Sequence, residues 1–447
     1  MLEKVLIANR GEIALRVIRA CHELNVPTVA VYSDADAGAL HVRRTDEAVH
    51  IGPPPANKSY LRAEALIEAA RETGADAIHP GYGFLAENAE FAAACRDAGI
   101  TFVGPSAEAI QKMGDKSAAR RIAQEAGVPV VPGTDGGVSP EEAVETAREI
   151  GYPVMVKAAA GGGGRGIRIA EGDEELEKSV RVARQEAESA FGDGSVYLEK
   201  FLAAPRHVEV QVLGDHSGNA IHLYERECSM QRRRQKVLEE APSPGISTET
   251  RRKMLEAAVR LTKQAGYANV GTIEFLVDED GSFYFIEMNT RVQVEHPITE
   301  MLTGVDLIKA QLRIASGEPL KLSQDEVPCT GWAMEFRVNA EDPDNGFMPS
   351  PGVISALEIP GGPGVRVDSA VYAGYEIPPF YDSMIGKLIV WGGDREEAIG
   401  RSRRALGEYR IEGLDTTIPL HVRLLAEEAF ISGRYDTAYL ERLLGEG

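Results

Sequence analysis

The beginning of the chain alternates short apolar runs with amphipathic segments. Residues 4–8, 28–32 and 77–79 have the pattern of strands, whereas residues 11–24 and 60–73 have helical periodicity. This β-α-β rhythm predicts a parallel, doubly wound sheet of the α/β class. Gly11 stands alone after the first strand, so the pattern GxGxxG is missing there and no dinucleotide site is inferred.

The pattern changes after about residue 114. A helical segment at 115–127 leads into prolines, which favours a boundary. Residues 131–203 predict a small unit with a helix at 139–150, a strand at 153–157, a glycine loop, a strand at 167–170, a helix at 173–190 and a strand at 196–201. The remainder predicts strands at 206–214, 219–225, 271–277, 283–288 and 331–339, and helices at 394–408 and 420–432. We therefore predict divisions at 1–114, 115–130, 131–203 and 204–447.

Residues 272–297, TIEFLVDEDGSFYFIEMNTRVQVEHP, predict a hairpin with an acidic face. Asp280-Gly281 is a two-residue turn signal, and strands joined there would place Glu274 opposite Glu287. Opposed carboxylates repel unless a cation lies between them, which indicates Mg²⁺ with a nucleotide. The apolar residues beside them are expected in the core: Ile273, Phe275, Phe285 and Ile286.

The same face would continue if the second strand stayed extended. Alternation then aligns Asn289, Arg291, Gln293 and Glu295 with Glu287. Such an edge would carry metal ligands, an anion binder, an amide and a further carboxylate. A surface strand of mixed charge is the alternative, and the Asn-Thr pair at 289–290 could also turn the chain.

Residues 157–166, KAAAGGGGRG, join two of the predicted strands. Consecutive glycines allow backbone N–H groups to turn toward a phosphate, although no Lys-Ser/Thr follows as in a Walker loop. Lys157 lies on an apolar strand and needs an anionic partner. We interpret the loop as a lid over nucleotide phosphates, with a plain flexible hairpin as the alternative. A protein kinase is disfavoured because HRD and DFG motifs are missing.

A basic run, QRRRQK at 231–236, interrupts an acidic chain. It is interpreted as positive charge for an anionic substrate, with a solvated face as the alternative. The net charge of −21 disfavours nonspecific nucleic-acid binding. Four scattered cysteines without a CxxC pair argue against zinc and disulfides and favour the cytoplasm. We see no signal peptide and no apolar stretch long enough for a bilayer, so no membrane partner is expected.

Eight motifs, in order along essentially the whole chain, resemble one known family. They are MLEKVLIANRGEIALRVIRAC, HPGYGFLAEN, MGDKSAAR, the glycine loop, RECSMQRRRQK, FIEMNTRVQVEHPITE, FRVNAEDP and YDSMIGK. Together they resemble biotin carboxylase, the ATP-grasp enzyme of acetyl-CoA carboxylase and related biotin-dependent carboxylases. The resemblance implies an α/β, three-domain ATP-grasp architecture: a Rossmann-like N-terminal domain, a small mobile lid and a C-terminal mixed α+β catalytic domain.

The resemblance also implies roles for residues at matching positions. ATP would contact Lys116, Lys157, Gly162, Gly163, Gly164, Glu199, Lys200, Leu202, His207, Gln231 and Leu276. Mg²⁺, or Mn²⁺ in its place, would be bound by Glu274, Glu287 and Asn289. Bicarbonate would be bound by Lys236, Arg291, Gln293 and Val294. Glu295 would be the general base, and Arg337 would hold the biotin ureido oxygen near Tyr82.

The implied reaction joins ATP and bicarbonate into carboxyphosphate, which then supplies CO₂ to biotin. No Met-Lys-Met biotinylation site appears, so we expect biotin on a separate biotin carboxyl carrier protein, with carboxyltransferase subunits as further partners. Arg16, Arg19 and Glu23 match dimer positions, which implies a homodimer. The family pattern is altered by four residues: Ala160, Arg234, Pro363 and Thr417.

Other interpretations stay open. Another ATP-grasp ligase, of the carbamoyl-phosphate type, would share the lid and the acidic pair but not the Arg291-Gln293-Glu295 spacing with Arg337. A nucleotide sensor without turnover is disfavoured by the retained acids. The final carboxyl acceptor is not specified. Four residues have structural alternatives: His207 in the core, Tyr82 in packing, Arg337 paired with Glu335, and Glu295 as a helix cap.

Overall fold

A computed structural model describes residues 2–134, 137–158, 168–191 and 194–446. The glycine loop, with Ala160 and Gly162 to Gly164, lies outside these residues. Within the described ranges, no helix combines the length and the apolar character needed to cross a membrane. The four cysteines are free thiols.

The first part of the chain forms a five-stranded parallel sheet flanked by helices. Its elements are β1 (Val5–Ile7), α1 (Gly11–Glu23), β2 (Thr28–Ser33), α2 (Leu40–Arg44), β3 (Glu47–Gly52), α3 (Ala63–Thr73), β4 (Ala77–His79), α4 (Ala89–Asp97), β5 (Thr101–Phe102) and α5 (Ala107–Gly114). The order β3-β2-β1-β4-β5 confirms the predicted doubly wound α/β sheet. Strand β3 was not predicted, because it is a largely exposed edge strand without an apolar run.

A small second unit follows the helix α6 (Lys116–Glu125). Its elements are α7 (Pro140–Ile150), β6 (Val154–Ala158), β7 (Arg168–Ala170), α8 (Asp173–Phe191) and β8 (Val196–Lys200). The strands pair antiparallel in the order β7-β6-β8. Val154, Val156 and Leu198 of this sheet are fully buried against the two helices. All five predicted elements of this segment are confirmed.

An eight-stranded antiparallel sheet dominates the rest of the chain. It begins with β9 (Arg206–Gly214), β10 (Ala220–Arg232), β11 (Gln235–Ala241), α9 (Thr248–Gln264), β12 (Asn269–Val277), β13 (Phe283–Asn289), α10 (His296–Thr303), α11 (Leu307–Ala315) and β14 (Trp332–Asn339). It continues with β15 (Glu341–Asp342), β16 (Met348–Pro349), β17 (Gly352–Val353), β18 (Ala356–Glu358), β19 (Val365–Ser369), β20 (Glu376–Ile377) and β21 (Met384–Gly392). The sheet order is β13-β12-β9-β10-β11-β14-β21-β19.

The last elements are α12 (Arg395–Glu408), β22 (Arg410–Glu412), α13 (Ile418–Leu424), α14 (Glu428–Ile431) and α15 (Tyr439–Leu444). The predicted single helix at 420–432 is wrong, because two helices stand there. The predicted strand at 219–225 is too short, since β10 runs on to Arg232. Helix α9 was missed, although Ser247 caps its N-terminus through the backbone N–H of Thr250.

The cores join the first part of the chain to the large sheet. Met113 and Ala119 of α5 and α6 pack in one cluster with Phe275 and Phe285 of the β12–β13 hairpin. Residue Ile13 of α1 belongs to a second cluster that includes residues of β12 and α11. These contacts fix the acidic hairpin against the start of α6. The four sequence divisions stay a proposal.

The acidic hairpin differs from the prediction in two places that compensate. Its loop has three residues, because the Asp278 N–H donates to the Ser282 carbonyl at 2.8 Å, and Gly281 adopts the positive φ of +83°. Near the loop the register is therefore one residue off, with Phe275 opposite Phe285. A bulge at Ile286 restores the predicted register, so that Glu274 lies opposite Glu287.

Two further expectations for this hairpin are wrong. The bulge turns Ile286 outward, and it is 37% exposed instead of lying in the core. The strand also ends at Asn289 and does not stay extended to Glu295, which lies at the start of α10. The polar residues after Asn289 therefore reach the site by a turn of the chain and not by strand alternation.

Candidate active site

A row of carboxylates crosses three adjacent strands of the large sheet. Glu274 of β12 pairs with Glu209 of β9 on one side and with Glu287 of β13 on the other. Lys236, at the start of β11, reaches over this row with its ammonium group. Its Nζ lies 2.6 Å from Glu209, 3.1 Å from Glu274 and 2.6 Å from Glu295. One cation therefore joins the predicted metal ligands to the predicted base.

The pKa values of Glu274 and Glu287 are shifted in opposite directions. Burial opposes ionisation of Glu274, yet the charges of Lys236 and His207 hold its pKa well below the usual value. The side chain of Glu287 is exposed, but partial desolvation raises its pKa, and the charge of Glu274 raises it further. A divalent cation between the two would relieve that repulsion. The carboxylate donor set thus fits Mg²⁺, as the sequence indicated.

A cavity of about 200 Å³ opens beside Glu287. Its lining includes Lys116 from the start of α6, Asn289 and the outward-facing Ile286. The exposure of Ile286 is explained by this position, since its side chain forms part of the cavity wall. The cavity places an ammonium group and a carboxylate on one small volume, which suits a metal-bound phosphate.

Glu295 lies between two cations. Its Oε1 accepts from Lys236 and its Oε2 accepts from Arg337 at 3.0 Å, and the residue is 2% exposed. Burial opposes its ionisation, but Lys236, Arg337 and Arg226 hold its pKa well below the usual value. Glu295 occupies the cap position of α10 without making a side-chain cap hydrogen bond, so the capping alternative is not supported.

Arg337 on β14 is held by two acids. Its Nε donates to Glu239 at 2.7 Å, and its Nη2 contacts both Glu239 and Glu295. The pairing with Glu335 considered from sequence is wrong, since both carboxyl oxygens of Glu335 are buried without a hydrogen-bond partner among the described residues. Burial raises the pKa of Glu335 well above the usual value, and the charge of Glu239 adds to this.

The predicted bicarbonate residues come together although the strand does not continue. The Arg291 guanidinium donates to Glu87 and to Asn289, each at 2.9 Å. The Gln293 amide donates to Glu274 at 3.0 Å. The Val294 carbonyl accepts from Lys387 at 2.8 Å. Asn289 also donates to Glu274 at 2.9 Å, which keeps it beside the acidic pair.

The predicted ATP residues are spread over the small sheet and the ends of three inner strands of the large one. Lys157 of β6 forms an ion pair with Glu199 of β8, and Lys200 donates to the Gly151 and Tyr152 carbonyls. On the large sheet, His207 Nε2 lies 2.9 Å from Glu274. The others are Leu202, which is buried, Leu276, opposite His207, and Gln231, opposite Lys236.

Only part of the basic run enters the site. Arg233 and Arg234 form the turn between β10 and β11, with φ of +49° and +65°. Arg232 instead pairs with Glu446 at the end of the chain, at 2.7 Å. Lys236 is thus the member of this run that contacts the acidic row.

Sequence reasoning missed a buried arginine beneath the site. Arg226 is fully buried and donates to Glu209 at 2.6 Å and to the Gln293 side-chain oxygen at 2.8 Å. It also donates to Thr299 of α10 at 2.9 Å. Arg226 therefore fixes Gln293 and the start of α10 around Glu295. The available signals for Arg226 were its position inside a strand and the motif RECSM. A sequence does not show, however, whether a charged side chain is buried.

A large antiparallel sheet that carries a row of carboxylates, together with a small three-stranded unit that carries Lys157, is the arrangement of the ATP-grasp class. Three family models match: "Biotin carboxylase, N-terminal domain" at residues 1–110, "Carbamoyl-phosphate synthase L chain, ATP binding domain" at 115–323, and "Biotin carboxylase C-terminal domain" at 335–442. The carbamoyl-phosphate synthase model covers the ATP-binding region alone, and the biotin carboxylase models flank it.

Relatives that match over the whole chain include biotin carboxylases. Biotin carboxylase 1 of Bacillus subtilis is 57% identical over 443 residues, covering 99% of this chain and 98% of its own length. The biotin carboxylase of Pseudomonas aeruginosa is 57% identical over 447 residues, covering 100% and 99%. The chain belongs to the biotin carboxylase family. It is a ligase that carboxylates biotin with cleavage of ATP.

Solved structures share the fold over the same length. The biotin carboxylase domain dimer of Hydrogenobacter thermophilus 2-oxoglutarate carboxylase, in complex with MgADP, ADP and bicarbonate, matches with a TM-score of 0.92 and 53% identity, covering 99% of this chain and 98% of that one. A biotin carboxylase–β,γ-ATP complex from Campylobacter jejuni matches with a TM-score of 0.94 and 48% identity, covering 99% of each.

Proposed function

We propose that this site activates bicarbonate with ATP and transfers the carboxyl group to biotin on a separate carrier protein. The observation that carries the proposal is the position of Glu295. It lies between Lys236, which also contacts the acidic row, and Arg337, the predicted biotin ligand. One carboxylate thus adjoins both the bicarbonate and the biotin subsites.

The nucleotide end of the site is assigned to the acidic pair and the lysines. Glu274 and Glu287 would hold Mg²⁺ with Asn289 beside them, and the metal would neutralise phosphate charge when bound. Lys116 and Lys157 would bind phosphate oxygens, and Lys157 exchanges its ion pair with Glu199 to do so. The solved relative with MgADP and bicarbonate supports this set of ligands.

Glu295 becomes a stronger base only when bicarbonate arrives. With Lys236 and Arg337 both donating to it, its low pKa makes it a poor proton acceptor. A bicarbonate anion bound by Lys236 and Arg291 shares the charge of Lys236, and the pKa of Glu295 then rises. Glu295 takes the bicarbonate proton, and the freed oxygen attacks the γ-phosphorus to give carboxyphosphate and ADP.

The second half-reaction is assigned to Arg337. Carboxyphosphate releases CO₂ and phosphate, and the phosphate takes the proton from biotin N1′. Arg337 stabilises the negative charge that develops on the ureido oxygen, and N1′ then attacks CO₂. In this proposal, the small unit predicted at residues 131–203 would act as the lid that keeps water away from carboxyphosphate.

The final carboxyl acceptor and the oligomeric state are proposed in less detail. Biotin carboxylases and a pyruvate carboxylase subunit of Methanothermobacter thermautotrophicus, 55% identical over 442 residues, are both similar to this chain, so acetyl-CoA, propionyl-CoA, pyruvate and other acids all stay candidates as the final acceptor. A homodimer is supported by the dimeric relative and by an open cleft lined by Arg16, Arg19 and Glu23.

The test is transfer of ¹⁴C from bicarbonate to biotin in the presence of Mg-ATP. We expect label on free biotin, and faster transfer to a biotinylated carrier. Glu295→Gln keeps the shape of the side chain and is expected to abolish transfer while ATP still binds. Glu256→Gln, an exposed carboxyl on α9, is the matched control. Absence of label with the wild-type protein would refute the proposal.

A second assay separates this function from that of a carbamoyl-phosphate type of ligase. Bicarbonate-dependent ATP cleavage should rise when free biotin is added, because biotin consumes the CO₂ that carboxyphosphate releases. Ammonia should give no such stimulation. The reverse pattern would favour the other ligase.

A further inference from the structure

A buried chain of polar groups links Tyr82 to Val294 across two parts of the molecule. Tyr82 follows β4 in the chain, and its hydroxyl donates to Glu12 at the start of α1. Glu12 Oε1 lies 3.1 Å from Nζ of Lys387 on β21. The same Nζ donates to the Val294 carbonyl at 2.8 Å and lies 6.0 Å from the centre of the Tyr82 ring.

The position of Lys387 is energetically costly. Its side chain is 0% exposed, and a buried ammonium costs several kcal/mol unless acids and acceptors surround it. Glu12 supplies the paired charge, and Asp368 lies opposite Lys387 on β19. An apolar residue would fill this strand position without that cost. A buried charge at this position therefore points to a task beyond packing.

Hydrogen bonds fix the peptide units on both sides of Val294. On one side, the Gln293 carbonyl lies 2.7 Å from Nδ1 of the buried His296, which is placed to donate to it. On the other side, the Val294 carbonyl accepts from Lys387. Hydrogen bonds to a carbonyl strengthen its own amide N–H as a donor. The two contacts therefore fix the orientation and the donor strength of the backbone at the predicted bicarbonate subsite.

Lys387 also neighbours the biotin subsite directly. It is the cross-strand partner of Arg337 in the pairing of β14 with β21. Together with the Tyr82 contacts, this places one ammonium group beside both predicted biotin residues and against the backbone of the predicted bicarbonate residues. Among the described residues, its ion pair is with Glu12 and not with the acidic row.

We propose that Lys387, linked through Glu12 to Tyr82, is a positioning residue that couples the biotin subsite to the bicarbonate subsite. The inference rests on the proposed roles of Tyr82 and Val294. Removing the Tyr82 hydroxyl leaves Glu12 with Lys387 alone, which draws the ammonium toward Glu12 and away from the Val294 carbonyl. Bicarbonate affinity thus depends on a hydroxyl group at the other subsite.

The test measures bicarbonate affinity in two ways without biotin. One is the KM for bicarbonate in ATP cleavage, and the other is direct titration of the ADP complex with ¹³C-bicarbonate by NMR. We expect Tyr82→Phe to weaken both roughly 3- to 10-fold, the size of coupling seen for residues in one network. Lys387→Met should weaken them at least as much, with kcat changed less than about twofold. Glu12→Gln removes the charge that draws the ammonium away from the Val294 carbonyl, so it should weaken neither measure of affinity.

The decisive comparison is the double variant. Adding Tyr82→Phe to Lys387→Met should cause no further loss of affinity if the effect travels through Lys387. Independent, multiplying effects would overturn the inference, as would wild-type affinity in Tyr82→Phe or weakened affinity in Glu12→Gln. These two single variants decide the matter even if Lys387→Met does not fold.

A control separates coupling from general destabilisation. Glu240 is fully buried and pairs with Arg395 at 2.7 Å, away from both subsites. Glu240→Gln should lower the unfolding temperature and leave bicarbonate affinity unchanged. If the wild-type protein binds bicarbonate with this coupling but shows no turnover, the proposed function fails and the coupling stands.

Discussion

Replacing Lys236 by methionine tests the electrostatic centre of the site. The change keeps most of the side-chain volume but removes the cation that lies 2.6–3.1 Å from Glu209, Glu274 and Glu295. Breaking a buried pair by removing one partner costs about 3–5 kcal/mol. For a cooperative unit of 150–250 residues this corresponds to a fall in Tm of roughly 6–20 °C.

The loss of stability in the variant should depend on pH. The direction of this dependence follows from the pKa values of Glu274 and Glu295. The pKa values of Glu274 and Glu295 lie well below the ordinary 4.5 in the folded protein, largely because of Lys236. Such groups contribute stability that is present above pH 4.5 and is lost as the pH falls through the folded pKa. The variant lacks this contribution, and burial without the ammonium raises the pKa values of these acids, so they oppose folding increasingly as the pH rises. The deficit should therefore be larger at pH 7–8 than at pH 5.

Thermal unfolding of wild type and variant at pH 5, 6, 7 and 8 measures the effect. Arg252→Met is the control, because Arg252 also pairs with two glutamates, at 2.9 and 2.8 Å, but on the exposed face of α9. It should shift Tm far less. A deficit for Lys236→Met that matches Arg252→Met, or that grows toward pH 5, would refute the reasoning. Bicarbonate-dependent ATP cleavage should also be lost.

Three further outcomes follow. Glu287→Gln should raise the Mg²⁺ concentration needed for half-maximal ATP cleavage by at least tenfold, with little loss of stability, whereas an unchanged requirement would exclude Glu287 as a ligand. Glu335→Gln should stabilise the fold at pH 8 more than at pH 5.5 in urea unfolding. This sign holds because an acid with a raised pKa loses its stabilising contribution as the pH rises, and a pH-independent gain would contradict it. Arg226→Met should weaken bicarbonate binding through Gln293, and a variant with normal KM for bicarbonate would show that Arg226 is only structural.

The acidic pair shows what a sequence can specify. Glu274 and Glu287 do lie opposite each other, but the two-residue turn assumed for them is a three-residue loop. The bulge at Ile286 adds the compensating residue. A turn signal fixes register only if no bulge follows, and the bulge has no sequence signal of its own. The apolar runs, in contrast, predicted the three central strands of the parallel sheet, β1, β2 and β4, and all three strands of the small unit, β6 to β8.

Charged residues in the interior were the hardest to predict. Arg226, Glu209 and Lys387 lie on strands with hydrophobic neighbours, and their functions come from partners far away in sequence. Local pattern cannot show that Arg226 meets Gln293 or that Lys387 meets Val294. The convergence of Arg291, Gln293 and Glu295 was expected, but from strand alternation that does not exist. A turn and the start of α10 bring them together instead.

The charge arrangement also suggests how ATP is protected from water. Without bicarbonate, Glu295 accepts from Lys236 and Arg337 and is a weak base, so it cannot activate a water molecule that enters beside the nucleotide. In the proposed mechanism, bicarbonate would compete with Glu295 for Lys236, which water, being uncharged, would do poorly. The base would then be strengthened by the substrate whose proton it must take. Selectivity for bicarbonate over water would follow from charge, because the ammonium group that restrains Glu295 would also bind the anion.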